Sequence, residues 1–209
     1  MIENTNEQAF AEGVKRLVEK DPIIGRLIDA YGRYPWKTRT DYFAILCESI
    51  ISQQLSVKAA AAIAAKVRAY FSGEWAPQPI LAAGEEELRA CGLSYLKIRY
   101  LKDLAAFFAD GRLKEEEFPT LSNEEVVRRL VQVKGIGVWT AQMFLLFGLG
   151  RLNVFPVDDL GIKKAIQFNY DLPALPDKKQ MIEIGAKWTP YESIACLYLW
   201  RSLNNKPEL

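Results

Sequence analysis

No histidine occurs anywhere in the chain. That removes imidazole general bases, Ser-His-Asp and Cys-His nucleophile systems, and His-ligated zinc. Acid–base chemistry is left mainly to carboxylates, Lys and Tyr. Cysteine is scarce as well. Cys47, Cys91 and Cys196 lie far apart and form no C-x-x-C pair. Neither a four-cysteine zinc site nor a four-cysteine iron–sulfur cluster can be built from them. Each falls in an apolar helical context and reads as a buried small hydrophobe in a reducing compartment. A large charge of either sign is also missing: 27 basic residues against 26 acidic ones leave a net charge of +1. This weighs against a protein that coats nucleic acid by bulk charge, so any such contact must be local, through turns and a few placed cations. No N-terminal apolar run follows a basic region, and no uninterrupted apolar stretch reaches about 18 residues. The expectation is a soluble, intracellular protein.

What is present is a chain of 209 residues with 50% hydrophobic and 25% charged content. That suffices for one domain or two intimate subdomains. Disorder is expected only in the first few residues and from Asn204 to Leu209. Helical periodicity runs almost throughout and strand alternation is nearly absent, giving about ten to twelve short helices. Residues 7–20 and 21–32 read as two helices, with Asp21 as cap and Pro22 in the first turn. Thr40 or Asp41 can cap a helix running to Gln53. Ser56 can cap Val57–Phe71, which Ser72-Gly73 ends. Residues 74–80 read as a loop, followed by helices at Glu85–Cys91 and Tyr95–Ala109. Ser122-Asn123-Glu124-Glu125 fits a capping box for a helix to Val133. Helices are further expected at Val138–Phe147, from Asp158 or Asp159 to about Phe168, near 177–188 and near 190–203.

Two features carry chemistry. Leu130 to Ala141 reads as helix, hairpin, helix around Gly135-Ile136-Gly137, with both glycines permitting positive φ and close backbone approach. N–H groups at such a helix start can hold a phosphate without reading sequence, and the hairpin carbonyls could hold a monovalent cation beside it. The same turn also serves as a plain interhelix connection. Downstream, Val154-Phe155-Pro156-Val157-Asp158-Asp159-Leu160-Gly161 places two carboxylates after a proline-bent apolar segment. Asp is a preferred N-cap, so one of the pair is expected to cap while the other faces a cleft. A buried carboxylate there would stabilise the positive charge that develops on a sugar when its glycosidic bond breaks. Asp159 is the choice for that role.

The chain resembles the helix-hairpin-helix (HhH-GPD) DNA glycosylases, and within them the 3-methyladenine DNA glycosylase II branch. The resemblance runs from about Asp41 to Arg201. It rests on Ile51-Ser52-Gln53-Gln54-Leu55-Ser56, on Glu87 to Ser94 with Lys97, on the hairpin with Trp139-Thr140-Ala141, on Val154 to Gly161, and on Trp188-Thr189-Pro190-Tyr191 leading to Leu199-Trp200-Arg201. It implies an all-α fold of two helical subdomains flanking a DNA-binding cleft. One would be central, about 39–154, and one terminal, about 1–38 plus 155–209. It implies a base-excision repair enzyme that flips a damaged base out of double-stranded DNA, acts as a monomer, and resides in the cytoplasm or nucleoid, or in the nucleus of a eukaryote.

By position, Asp159 matches the catalytic aspartate, and Gln54, with Gln53 beside it, matches the side chain that wedges into the gap. Val133, Lys134, Gly135, Ile136, Gly137 and Thr140 match the backbone-binding hairpin, where the carbonyls of Val131, Val133 and Gly135 could hold a sodium or potassium ion. Trp139, Met143, Tyr191 and Trp200 match the base pocket, with Trp36 and Tyr42 as further candidates. Aromatic faces stack on a flipped base, and more strongly on a cationic one. Any of these Trp rings could equally serve core packing. No cofactor is required and no iron–sulfur cluster is expected. Large members of this branch often carry an extra N-terminal β domain, for which the roughly 40 residues before the match leave no room.

Trp139 occupies the place where bifunctional members carry a Schiff-base lysine. The resemblance therefore implies a monofunctional enzyme that uses water, acting on 3-methyladenine- or 7-methylguanine-type bases. A bifunctional oxidised-base glycosylase with lyase activity and a non-catalytic DNA-binding hairpin module are the alternatives. Trp139 argues against the first and Asp159 against the second.

Overall fold

A computed structural model describes residues 2–36 and 39–204, with the side chains of 2–6 and 204 left aside. The disorder expected at the two ends concerns Met1 and residues 205–209, which lie outside the described residues, and the helix ends beside them. Among the described residues the chain is all helical, with no strand. It divides into two compact units, one formed by both chain ends (1–38 and 150–209) and one by the middle (39–149).

The middle unit holds α3 (Tyr42–Ser52), α4 (Val57–Tyr70), α5 (Pro77–Ala82), α6 (Glu85–Ala90), α7 (Tyr95–Ala109), α8 (Asn123–Leu130) and α9 (Val138–Met143). α3, α5 and α6 pack on α7, and α4 packs on α3. Their facing residues, among them Leu46, Ile50, Leu88, Ile98, Leu101 and Leu104, are sealed from water. Tyr42 meets Phe118 and Phe144 edge to face, at ring separations of 5.9 and 5.8 Å. These contacts pack half-buried Tyr42 against the core of this unit.

The terminal unit holds α1 (Ile2–Lys20), α2 (Pro22–Tyr31), α10 (Leu160–Asn169), α11 (Lys178–Gly185) and α12 (Glu192–Asn204). α12 is its centre, touching α1, α2 and α10. Ile194, Cys196 and Leu199 on α12 are fully buried. All three cysteines are free and buried, and burial pushes the Cys47 and Cys196 thiols well up. Trp36 stacks on Phe10 at 5.4 Å, which assigns that ring to packing within this unit.

Several local expectations change. Residues 74–80, read as a loop, contain the start of α5: Pro77 and Pro79 occupy its first turn, where a missing N–H costs nothing. Asp41 precedes α3 but makes no capping bond, because its carboxylate is engaged by Arg39 at 2.6 Å. Ser122 accepts from the Glu125 N–H as expected, yet the Glu125 carboxylate turns to Arg128 and Arg129. A complete capping box forms at Asp177 and Gln180 instead. The helix expected at Val138–Phe147 widens after Met143 into a π turn, Phe144–Gly148. A Cβ on Gly148 would approach the Phe144 ring to 2.9 Å, so glycine lets that turn close.

Candidate active site

The hairpin joins α8 to α9 within the middle unit. Val133 and Ile136 point inward and are buried, which anchors the loop from below. Gly135 has φ +86, and a Cβ there would lie 2.2 Å from the Tyr100 ring. Conformation and packing both demand glycine at this position. Gly137 differs from expectation. It is the N-cap of α9 with φ −90, a value any residue adopts, and nothing lies within 4 Å of where a Cβ would project. The fold itself makes no demand for glycine at 137, so the open space there suits close approach from outside. Thr140 is only 6% exposed, so it offers a ligand little surface. Lys134 donates its backbone N–H to the Asp103 carboxylate at 2.8 Å, and its largely exposed ammonium lies 3.9 Å from the same carboxylate.

Beside the hairpin stands the turn between α3 and α4. Gln53 donates its side-chain amide N–H to the Gly135 carbonyl at 2.8 Å. Lys97 donates to the carbonyls of Ile51 and Gln53 at 2.7 and 2.8 Å, closing the C-terminus of α3. Burial lowers the Lys97 pKa. Gln54, next in the chain, is exposed and held at φ +58. A non-glycine residue in the left-handed region is strained, and such strain clusters at functional positions. Gln53 is therefore a strut and Gln54 is the residue that projects. Lys97 was visible in the sequence only as part of a resemblance. A lysine that caps a helix from another element leaves no local signal.

The acidic pair lies in the terminal unit, and its division of labour departs from the reading of one cap and one cleft residue. Asp159 does the capping: its Oδ1 accepts from the Ile162 N–H at 2.7 Å. The same oxygen accepts the Trp200 indole N–H at 3.0 Å. Asp159 is 8% exposed, whereas the Asp158 side chain is 75% exposed and pairs with Lys163 at 3.6 Å. One residue thus combines cap and candidate catalyst, and the other is a surface group. Gly161 completes the arrangement, since a Cβ there would lie 3.0 Å from Oδ1 of Asp159 and 3.2 Å from Nε1 of Trp200. A glycine in a first helical turn has no local purpose, and that was the available hint.

The segment leading to Asp159 is pinned by Ser193. Its backbone N–H donates to the Leu152 carbonyl, its Oγ accepts from Val154 N–H at 3.0 Å, and the same hydroxyl donates to Arg151 at 2.7 Å. Phe155 meets Trp188 edge to face and presses on Gly185, where a Cβ would come within 2.3 Å.

The remaining candidates fall on both units. Trp139, 50% exposed, and half-buried Met143 project from α9 in the middle unit. Half-buried Tyr191 and Trp200 belong to the terminal unit, where the Tyr191 ring leaves no room for a Cβ on Gly13. The structure brings Asp159 and Trp200 into contact in one unit, and Gln53 and the hairpin into contact in the other.

The terminal unit also holds a second buried carboxylate, Asp21, fully sealed at 0% exposure. It caps α2 and accepts hydrogen bonds from Tyr170 and from the Trp188 indole at 2.7 Å, with Lys187 at 3.1 Å. Burial works to raise its pKa, but the bonds from Tyr170, Trp188 and Lys187 prevail and hold it below the usual value. Its charge is sealed off and matched by a cation, which suits a structural role.

Comparison with known proteins gives the family. The profile of the HhH-GPD superfamily base excision DNA repair proteins matches residues 47–191. A putative DNA-3-methyladenine glycosylase of Bacillus subtilis is 36% identical over 172 residues, which are 78% of this chain and 60% of that protein. DNA-3-methyladenine glycosylase 1 of Schizosaccharomyces pombe is 36% identical over 183 residues, 85% of this chain and 80% of that one. The solved structure of a Schizosaccharomyces pombe 3-methyladenine DNA glycosylase in complex with abasic DNA superposes with a TM-score of 0.84 at 33% identity, covering 93% of this chain and 98% of that one. The all-helical fold and the resemblance read in the sequence are both borne out: the chain belongs to the HhH-GPD superfamily of base excision DNA repair proteins.

Proposed function

We propose that this protein is a monofunctional DNA glycosylase that removes alkylated purines of the 3-methyladenine and 7-methylguanine type from double-stranded DNA. The observation that carries the reading is Asp159, a nearly buried carboxylate whose Oδ1 is fixed by a helix N–H and an indole N–H. Both donors are neutral groups, and together they orient the carboxylate. Breaking the N-glycosidic bond places positive charge on the deoxyribose, and a preoriented carboxylate stabilises that state. The pair of electrons in the broken bond leaves with the base. An N3- or N7-alkylated purine already carries positive charge and departs neutral, so no strong general acid is needed. Water then adds to the sugar and gives up a proton, for which Asp159 is the acceptor at hand.

The remaining roles follow from position. The hairpin N–H groups around Gly137 and the Lys134 side chain meet backbone phosphate. Gln54 fills the gap left by the flipped nucleotide, while Gln53 holds its turn to the hairpin. Trp139, Met143, Tyr191 and Trp200 each offer a surface to the base. A hairpin cation is compatible with the donor set: carbonyl oxygens are hard ligands suited to sodium or potassium. The Val133 and Gly135 oxygens each accept one hydrogen bond, from Ile136 and Gln53, and each has a second lone pair. Bound there, the ion would draw in a phosphate oxygen. No helix among the described residues is long and apolar enough to cross a membrane, and we place the protein with DNA in the cytoplasm or nucleus.

The reading is tested by incubating the protein with methylated duplex DNA and identifying released bases by mass spectrometry. Release of 3-methyladenine or 7-methylguanine is expected, with no covalent DNA adduct trapped by borohydride. A trapped adduct would support the bifunctional lyase, and DNA binding without release of any base would support a binding module.

A further inference from the structure

We infer that Trp200 is a positioning residue for the Asp159 carboxylate, and that Gly161 is glycine because a Cβ there would crowd this pairing. The inference rests on the catalytic reading of Asp159 and assigns Trp200 a task distinct from stacking on the base.

An Asp carboxylate turns easily about its last torsion, whose wells are broad. The capping bond from Ile162 comes from the residue's own helix and constrains that torsion from one side only. The indole N–H arrives from α12, an element 41 positions away in sequence, and meets the same oxygen. Two donors from independent elements on one oxygen fix the plane of the carboxylate. The indole can do this edge-on and still present its π face to a base, so the two tasks use different parts of one ring.

Gly161 supplies the independent observation. An added Cβ would crowd both side chains of the junction: Oδ1 of Asp159 at 3.0 Å, and Cδ1 and Nε1 of Trp200 at 3.2 Å each. Such separations are tighter than ordinary van der Waals contact, so a methyl group there makes the indole or the carboxylate give by a few tenths of an ångström, at the contact that orients Asp159. Gly161 has no left-handed φ to account for it. Its role is to let Trp200 reach Asp159.

The account separates positioning from packing in a measurable way. An oriented negative charge matters most when the sugar is positive. The preference for duplex DNA carrying a cationic pyrrolidine abasic analogue over one carrying a neutral tetrahydrofuran analogue reports that orientation directly. Three proteins are compared with wild type: Trp200→Phe, Gly161→Ala, and a protein carrying benzothienylalanine at position 200, which keeps the bicyclic ring but lacks the N–H.

All three are expected to hold the tetrahydrofuran duplex within about twofold of wild type. All should lose about tenfold or more of the pyrrolidine preference and a similar factor in single-turnover release of 7-methylguanine. Combining Gly161→Ala with Trp200→Phe should cost no more than the worse single change, because both act through one contact. A benzothienylalanine protein with the wild-type pyrrolidine preference would overturn the inference and leave Trp200 as a stacking surface. If Asp159→Asn also kept the wild-type preference, the catalytic reading of Asp159 would fail instead. The Asn control thus tells the two failures apart.

Discussion

Asp21 and Asp159 are both buried aspartates that cap a helix of the terminal unit, and their surroundings give them opposite tasks. Asp21 is matched by the Lys187 ammonium and closed off by Trp188 and Tyr170. The oxygen of Asp159 that caps α10 receives its bonds from an amide and an indole, which set its orientation. Removing the Asp21 charge should therefore damage stability. Asp21→Asn is expected to cost about 2–4 kcal/mol, seen as a lowered thermal midpoint, because it leaves Lys187 facing a neutral group. The folded-state pKa of Asp21 lies below its unfolded value. Its contribution is thus fully present above about pH 4 and declines as the pH falls through the folded pKa. Thermal melts between pH 7 and pH 3 should show the wild type losing stability at the acid end, and the Asn variant losing less.

At this scale the sequence disclosed a good deal, and the limit is physical. Asp158-Asp159 was recognisable as a candidate pair from its place after Pro156. The sequence could not show that one residue would both cap and face the chemistry, because capping uses one carboxylate oxygen and does not by itself bury the group. Nor could it reveal Gly161 as the partner of Trp200, since that contact joins α10 to α12.

At the scale of elements, the hairpin and the turn between α3 and α4 act as one piece through the bond from Gln53 to Gly135. The two hairpin glycines should then answer differently to the same change. Gly135→Ala meets both φ +86 and the Tyr100 ring, and should lower stability by about 1–3 kcal/mol. Gly137→Ala meets open space. It should shift the thermal midpoint little and weaken binding to undamaged duplex DNA by about tenfold, as read by fluorescence anisotropy. Equal effects of the two changes on stability would count against a ligand-facing Gly137.

The wedge can be tested by a trade-off. Gln54→Gly relieves the left-handed strain and should raise stability by about 0.5–1 kcal/mol, while base release falls several-fold for want of a side chain in the gap. A stabilised variant with full activity would remove Gln54 from that role. The element misread from sequence, α5, shows where local reading gives out. Two prolines within a few residues look like a loop, and only packing of Ile80 in the core against α7 decides that they open a helix.

At the scale of the whole molecule, the chain spends both ends on one unit and its middle on the other. The candidate residues follow that division: the grip and wedge are continuous in the middle segment, and the carboxylate with its indole joins distant parts of the terminal one. A net charge of +1 fits this economy. Affinity for DNA is expected from a hairpin and a few placed cations, not from a basic surface, and the chemistry needs one charge in one orientation. The helix count, the hairpin and the acidic loop were legible because they depend on local periodicity and glycine placement. The struts that hold them, Lys97, Gln53, Ser193 and Gly161, were not, because each works on a residue far along the chain.

The central claim is that the charge of Asp159 carries the reaction. Asn keeps an oxygen able to accept from Ile162 and Trp200 and remains a good N-cap, so Asp159→Asn removes the charge while sparing the fold. The decisive measurement is single-turnover release of 7-methylguanine from a defined duplex by the wild type and this variant, at protein concentrations that saturate the DNA. The account predicts a loss of at least about 100-fold in the rate, with the affinity for the duplex unchanged within about twofold. Release by the Asn variant at the wild-type rate would contradict it.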